Sequence, residues 1–127
     1  MRFAATCAVG LMMMSAHAFG QMPLPDPAAP DPARLFRTQC ATCHTLHASD
    51  PARQGPTLEH VFERKIGSIA DYAYTPGYRE SDKNWTAENL DTYLTNPQAM
   101  FPGSTMAYRQ SKAETRRIII DYLKEQG

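Results

Sequence analysis

Residues 40–44 read Cys-Ala-Thr-Cys-His, and no other segment of the 127-residue chain restricts its possible folds so tightly. Two thiols one helical turn apart lie on the same side of the backbone, and the next residue brings an imidazole from that turn. The two sulfurs can then reach the two vinyl groups on one edge of a porphyrin while the imidazole comes under the iron. C-x-x-C-H is accordingly the attachment sequence of c-type haem. Three other readings compete. A redox dithiol normally sits in a β-α-β context, which no neighbouring pattern provides. Half of a zinc site needs a second pair of ligands, and His44, His47 and His60 do not supply one at finger spacing. A plain disulfide between Cys40 and Cys43 is the third. The adjacent His, an export signal and a core-poor centre together favour haem c, covalently attached, one per chain.

The centre is core-poor because His47 to Trp85 is punctuated by turn formers: Asp50-Pro51, Gly55-Pro56, Gly67 and Pro76-Gly77. This stretch reads as long loops interrupted by a short helix near Asp71. So long a loop region argues against a compact domain unless something other than side chains fills its middle. Periodic segments flank it. Asp31 reads as an N-cap with Pro32 at the first helical position, and Phe36, Cys40 and Cys43 share one face of the helix that follows. Thr86 caps a helix with Leu90, Tyr93 and Leu94 on its inner side, ended by Asn96-Pro97. Ser111 to Glu114 has the form of a capping box. It opens a last helix with Thr115, Ile118, Ile119, Tyr122 and Leu123 as its apolar side. No strand alternation and no internal repeat occurs. The expected fold is all-α, with about four to five short helices wrapped around one covalently bound haem.

The first eighteen residues read as a secretory signal peptide. Arg2 gives a positive start, Phe3 to Met14 is an apolar run, and Ser15-Ala16-His17-Ala18 fits a small-residue cleavage site. The run is too short for a bilayer span, which takes roughly 20 apolar residues. Cys7 falls inside it. Residues 19–33 form a Pro-rich arm and residues 34–127 the folded domain. Export places the protein in an oxidising compartment, here the bacterial periplasm. The 13 basic residues balance the 13 acidic ones, so no basic stripe exists to neutralise phosphates and nucleic acid is excluded as a partner.

An iron held by His44 has a sixth position to fill or leave open. Met22 lies in the arm. Met106 sits in Pro102-Gly103-Ser104-Thr105-Met106, a polar turn without helical period, where an apolar side chain has little packing reason. Met100 and His60 are the alternatives, and His47 is too close to His44 to cross to the other face. A His/Met pair leaves no substrate position and means electron transfer rather than catalysis.

From about Leu35 to Lys124 the chain resembles the class I c-type cytochromes, specifically mitochondrial-type cytochromes c and their short bacterial relatives. The resemblance runs in order through CATCH, GPTL at Gly55–Leu58, RKIG at Arg64–Gly67, YAYT at Tyr72–Thr75, Trp85, YLTNP at Tyr93–Pro97, PGSTM at Met106 and DYLK at Asp121–Lys124. It implies thioethers at Cys40 and Cys43 and axial ligation by His44 and Met106. It also implies that the Pro56 carbonyl orients His44, that Tyr74, Trp85 and Arg64 bind the inner propionate, and that Tyr93 lies beside the Met106 sulfur. Phe36 would meet Ile119 and Tyr122 where the first and last helices cross. The implied function is a soluble, monomeric single-electron carrier between redox protein partners, not an enzyme, with no membrane span in the mature chain. A haem enzyme or gas sensor with a labile sixth ligand is one alternative, and a haem subunit of a larger oxidoreductase is another.

The chain departs from the family in four places. Pro32 and His60 stand where glycines are usual, and Pro76-Gly77-Tyr78 replaces a polar segment that usually holds an asparagine. The family's lysine-ringed haem edge is also lost. Gln39, Gln98, Ala99, Thr105 and Ala113 occupy those positions, leaving Lys112 and arginines such as Arg34. Weaker steering and less salt-dependent docking are expected.

Overall fold

The computed structural model describes residues 30–127. The expected signal peptide and most of the arm lie outside the described residues. Five helices order the remainder: α1 (Pro32–Gln39), α2 (Pro76–Arg79), α3 (Ala87–Thr95), α4 (Pro97–Met100) and α5 (Ala113–Glu125). The longer three make the frame, with α5 packed on both α1 and α3.

α1 starts where its sequence requires. The Asp31 carboxylate accepts the Ala33 N–H at 3.0 Å, and Pro32 occupies the first turn without losing a needed donor. The last two residues assigned to the arm therefore already belong to α1. The helix buries Phe36, whose ring lies 5.7 Å from that of Tyr122 on α5. Ile119 at this crossing is only 1% exposed. α3 is capped by Thr86, whose hydroxyl accepts the Asn89 N–H at 3.2 Å, and it buries Leu90, Tyr93 and Leu94.

Five local expectations are corrected. The short helix expected near Asp71 is a turn there, and the helical turn comes instead at α2. Pro76-Gly77 reads as a turn former in a loop, but Pro76 sits at the first position of α2, where its fixed φ starts a helix. Asn96-Pro97 ends α3 and immediately begins α4, since the Asn96 side chain accepts the Ala99 N–H at 3.3 Å. Met100 therefore belongs to α4 rather than to the end of the third helix. The capping box does not form: Lys112 is the N-cap of α5 without a side-chain bond, and Glu114 pairs with Arg117 at 2.6 Å. The buried side of α5 is also rotated. It comprises Arg116, Ile119, Ile120 and Leu123, with Thr115, Ile118 and Tyr122 at its half-buried margin.

The long middle segment is held by backbone bonds rather than by a core of its own. Glu63 N–H and Trp85 carbonyl oxygen lie 3.1 Å apart, Trp85 N–H and Arg64 carbonyl oxygen 2.9 Å, and Ile66 N–H and Lys83 carbonyl oxygen 3.0 Å. These contacts close the loop and set Trp85 against Tyr93, with ring centroids 4.8 Å apart. Gly67 is required here: its φ is +70°, and a Cβ would sit 2.3 Å from the Tyr78 carbonyl oxygen. His60, at the second glycine departure, also adopts a left-handed backbone, with φ +47°.

Candidate functional site

A partly open cavity of about 310 Å³ lies between the loops and the α3–α5 frame. Leu58, Val61, Leu90, Leu94, Ile119 and Leu123 give it an apolar wall. Cys40, Cys43 and His44 border it from the turn that follows α1. Pro56, Arg64, Tyr74, Trp85, Tyr93 and Met106 border it from the other segments. The structure thus gathers around one space every residue the sequence singled out for cofactor or metal binding. Of Met100, His60 and Met106, only Met106 borders it, and His47 and His60 are exposed at the surface.

The turn brings two thiols and one imidazole to the same side. α1 ends at Gln39, and Cys40 N–H bonds the Phe36 carbonyl at 2.9 Å. Cys43 and His44 N–H groups then both donate to the Cys40 carbonyl, at 3.1 and 3.0 Å, and this extra turn carries all three side chains to the cavity. Both thiols are free. Burial pushes the Cys40 thiol up to about 11, so it stays neutral until covalently engaged. Among the described residues no group of three or more His, Cys, Asp or Glu is clustered as a metal site of protein ligands requires.

His44 is fixed by its neighbours. Its Nδ1–H donates to the Pro56 carbonyl oxygen at 2.7 Å, which leaves Nε2 with the free lone pair. Burial lowers the imidazole's proton affinity below its ordinary value, with the Pro56 carbonyl opposing this, so the neutral form that can ligate a metal is favoured. Gly55 makes the approach possible. A Cβ there would lie 2.4 Å from His44 Cε1, 2.6 Å from Nδ1 and 2.9 Å from the Cys43 carbonyl oxygen.

The polar wall is more occupied than the resemblance implied. Arg64 donates to the Glu59 carbonyl at 2.5 Å and to the Thr57 carbonyl at 2.9 Å, so two of its donors brace the Pro56 loop. Burial lowers its pKa and that burial also raises Tyr74's, with each partner's charge opposing the shift. Thr75 borders the same cavity, and its buried Oγ1 has no hydrogen-bond partner. An unmet hydroxyl and a guanidinium bordering one cavity suit a bound carboxylate, and the apolar remainder suits a porphyrin, so the residues present fit haem.

Sequence reasoning missed three features. Thr75 lies inside the recognised YAYT segment, but its unmet hydroxyl has no sequence signal. Tyr78 stands out in the sequence only as part of the Pro76-Gly77-Tyr78 departure, yet its hydroxyl bonds those of Tyr93 and Ser104. Arg116 reads as surface but bridges α5 to Asp91 on α3 at 2.7 Å and donates to the Gln110 and Ser111 carbonyls.

A helical frame around a C-x-x-C-H turn, with an imidazole and a thioether on one apolar cavity, defines a small c-type haem protein. The cytochrome c family model matches residues 31–126. Cytochrome c of Ginkgo biloba is 36% identical over 108 residues, covering 84% of this chain and 94% of that protein. Cytochrome c of Arabidopsis thaliana is 40% identical over 95 residues, covering 74% and 85%. That of Theileria annulata is 40% identical over 109 residues, covering 81% and 94%. The chain belongs to the cytochrome c family. It is a single-haem electron-transfer protein with an all-α fold, its cofactor is one covalently attached haem c with iron, and it is not an enzyme. It acts with redox partners, and among the described residues no helix is long and apolar enough to cross a membrane.

Proposed function

We propose that this cytochrome is an exported, monomeric electron carrier of the bacterial periplasm, linking respiratory or dehydrogenase partners, with His44 and Met106 as its axial ligands. The observation that carries the ligand assignment is the shared cavity, which His44 and Met106 both border while Met100 and His60 do not. When bound, the haem supplies an iron that cycles between Fe(II) and Fe(III). The protein's own groups do the rest. Cys40 and Cys43 anchor the porphyrin edge through thioethers. Pro56 holds the His44 ring through Nδ1–H, sets its tautomer and raises its basicity toward the metal. Tyr74, Trp85 and Arg64, with Thr75 on the same cavity, would bind the inner propionate and offset the cost of burying a carboxylate. Tyr93 tunes the methionine side, and the apolar wall excludes water.

The Met1–Ala18 pattern supports export, and the Pro-rich segment that follows it precedes α1. Five prolines between Gln21 and Pro32 also suit a tether, which favours a second reading as a haem subunit of a larger oxidoreductase. Co-purification of a partner with the native protein would select that reading. The primary test is intact mass and spectroscopy of the matured protein. One added haem and a chain beginning at Phe19 are expected. The ferric methionine–iron band should vanish in Met106→Ala and persist in Met100→Ala. A band that survives in Met106→Ala refutes the ligand assignment, and an uncut leader refutes export.

A further inference from the structure

Three buried hydroxyls join the wall of the cavity to the loop that carries Met106. The phenol oxygen of Tyr78 on α2 lies 2.8 Å from that of Tyr93 on α3 and 2.5 Å from Ser104 Oγ. Ser104 Oγ in turn accepts the Met106 backbone N–H at 3.3 Å. Tyr78 and Tyr93 are each 8% exposed and Ser104 is 5% exposed, so water competes little for these bonds. The Tyr78 ring is held independently of its hydroxyl: Phe101 lies 4.4 Å and Tyr74 5.9 Å from it, centroid to centroid. Its backbone is also fixed, because the Tyr78 carbonyl fills the space left by the missing Cβ of Gly67.

A phenol has one proton. If Tyr78 donates to Ser104 it accepts from Tyr93, and if it donates to Tyr93 it accepts from Ser104. In either order its oxygen is satisfied, and one surplus hydroxyl proton is left on an end of the chain, on Ser104 or on Tyr93. Tyr93 borders the cavity and Ser104 does not. The order Ser104 to Tyr78 to Tyr93 turns the surplus proton toward the cavity, where a bound group can meet it. The opposite order leaves it on Ser104, away from that space.

We propose that Tyr78 is a positioning residue for the methionine ligand. Through Ser104 it latches the 102–106 loop against the pocket wall, and through Tyr93 it sets the direction of the hydroxyl that faces the cavity. The proposal rests on Met106 being the axial ligand. Its consequence is resistance of Met106 to replacement: an incoming ligand must open the loop and break the latch.

The test uses the haem-loaded ferric protein and imidazole as the competing ligand, followed by loss of the methionine–iron band. Tyr78→Phe keeps the ring and removes the latch, and it should tighten apparent imidazole binding about three- to tenfold, the worth of one such hydrogen bond. Ser104→Ala should do the same, and Ser104→Thr, which restores a hydroxyl, should bind imidazole like the parent. The double variant Tyr78→Phe/Ser104→Ala should bind no more tightly than the tighter single variant. Imidazole affinity unchanged in Tyr78→Phe, or fully additive effects in the double variant, overturns the proposal. So does a lowered unfolding midpoint with unchanged imidazole affinity, the mark of a merely structural role. If Tyr78→Phe does not load haem, the contrast between Ser104→Ala and Ser104→Thr decides alone: equal affinities overturn the latch. Failure of the Met106 assignment is separately visible as a band that persists in Met106→Ala.

Discussion

Gly55→Ala should damage the His44 site more than any comparable change of one methyl group in this chain. The added Cβ would lie 2.4 Å from His44 Cε1 and 2.9 Å from the Cys43 carbonyl oxygen. The ring is not free to yield, because its Nδ1–H is bound to the Pro56 carbonyl at 2.7 Å. Neither is the backbone, since Gly55 N–H bonds the same Cys43 carbonyl at 2.7 Å. Overpacking of this kind costs about 1–3 kcal/mol. Loss of the His44–Pro56 bond adds about 0.5–1.5 kcal/mol. The expected destabilisation is about 2–4 kcal/mol, or about 10–25 °C in Tm for a domain of this size. Urea and thermal unfolding of the haem-loaded protein measure it, and the spectrum reports His44 in parallel. Gly103→Ala is the control. Its φ is +85° but nothing lies within 4 Å of the new Cβ, so only backbone strain of about 1 kcal/mol is expected, with an unchanged spectrum. A Gly55→Ala protein within about 0.5 kcal/mol of the parent would refute the idea that His44 is wedged by Gly55.

Other outcomes follow from individual contacts. Asp91→Ala removes the carboxylate from an Arg116 side chain that is only 10% exposed, and should cost about 1–3 kcal/mol in urea unfolding. That is less than for a fully buried pair, because Asp91 is 46% exposed. His60→Gly should raise stability by about 0.5–1 kcal/mol, since glycine relieves a left-handed backbone at φ +47° but adds freedom to the unfolded chain. Tyr93 is held well above its ordinary pKa of 10.0, first by burial and then by Tyr78. Its neutral form therefore stabilises the fold fully below pH 10 and loses this as pH rises past 10, so Tyr93→Phe should flatten the fall in unfolding midpoint on the alkaline side. Gln98, Ala99 and Thr105 are exposed and uncharged. Electron-transfer rates with a charged partner should accordingly change little with ionic strength, and a steep fall with added salt would contradict this.

The parts of this structure that sequence made legible are those governed by local rules. Asp31-Pro32 and Thr86 act as caps because a single side chain next to the chain's own N–H groups decides the matter. CATCH was legible because its spacing carries the chemistry. Met106 stood out as an apolar residue in a polar turn. What sequence did not reveal depends on partners far along the chain. Pro76 starts α2 rather than merely turning a loop because the Tyr78 carbonyl docks on Gly67 and the Tyr78 ring on Phe101. Arg116 is buried because Asp91 and two loop carbonyls converge on it, which no periodicity on α5 announces. The Ser111–Glu114 box does not form because the helix starts one residue later, with Lys112 at the N-cap and its N–H donated to Gln110 Oε1, while Glu114 pairs with Arg117. Tyr78, Tyr93 and Ser104 come from three segments, and only tertiary packing makes them one hydrogen-bonded group.

If Cys40, Cys43, His44 and Met106 hold one haem as proposed, both axial positions of its iron are filled. The most direct measurement is the visible spectrum of the matured protein, ferric and ferrous, with and without carbon monoxide. A low-spin c-type ferrous spectrum unchanged by carbon monoxide, with a ferric methionine–iron band, is the predicted result. Ready carbon monoxide binding or a high-spin ferric spectrum would contradict it, by revealing an open or labile sixth position.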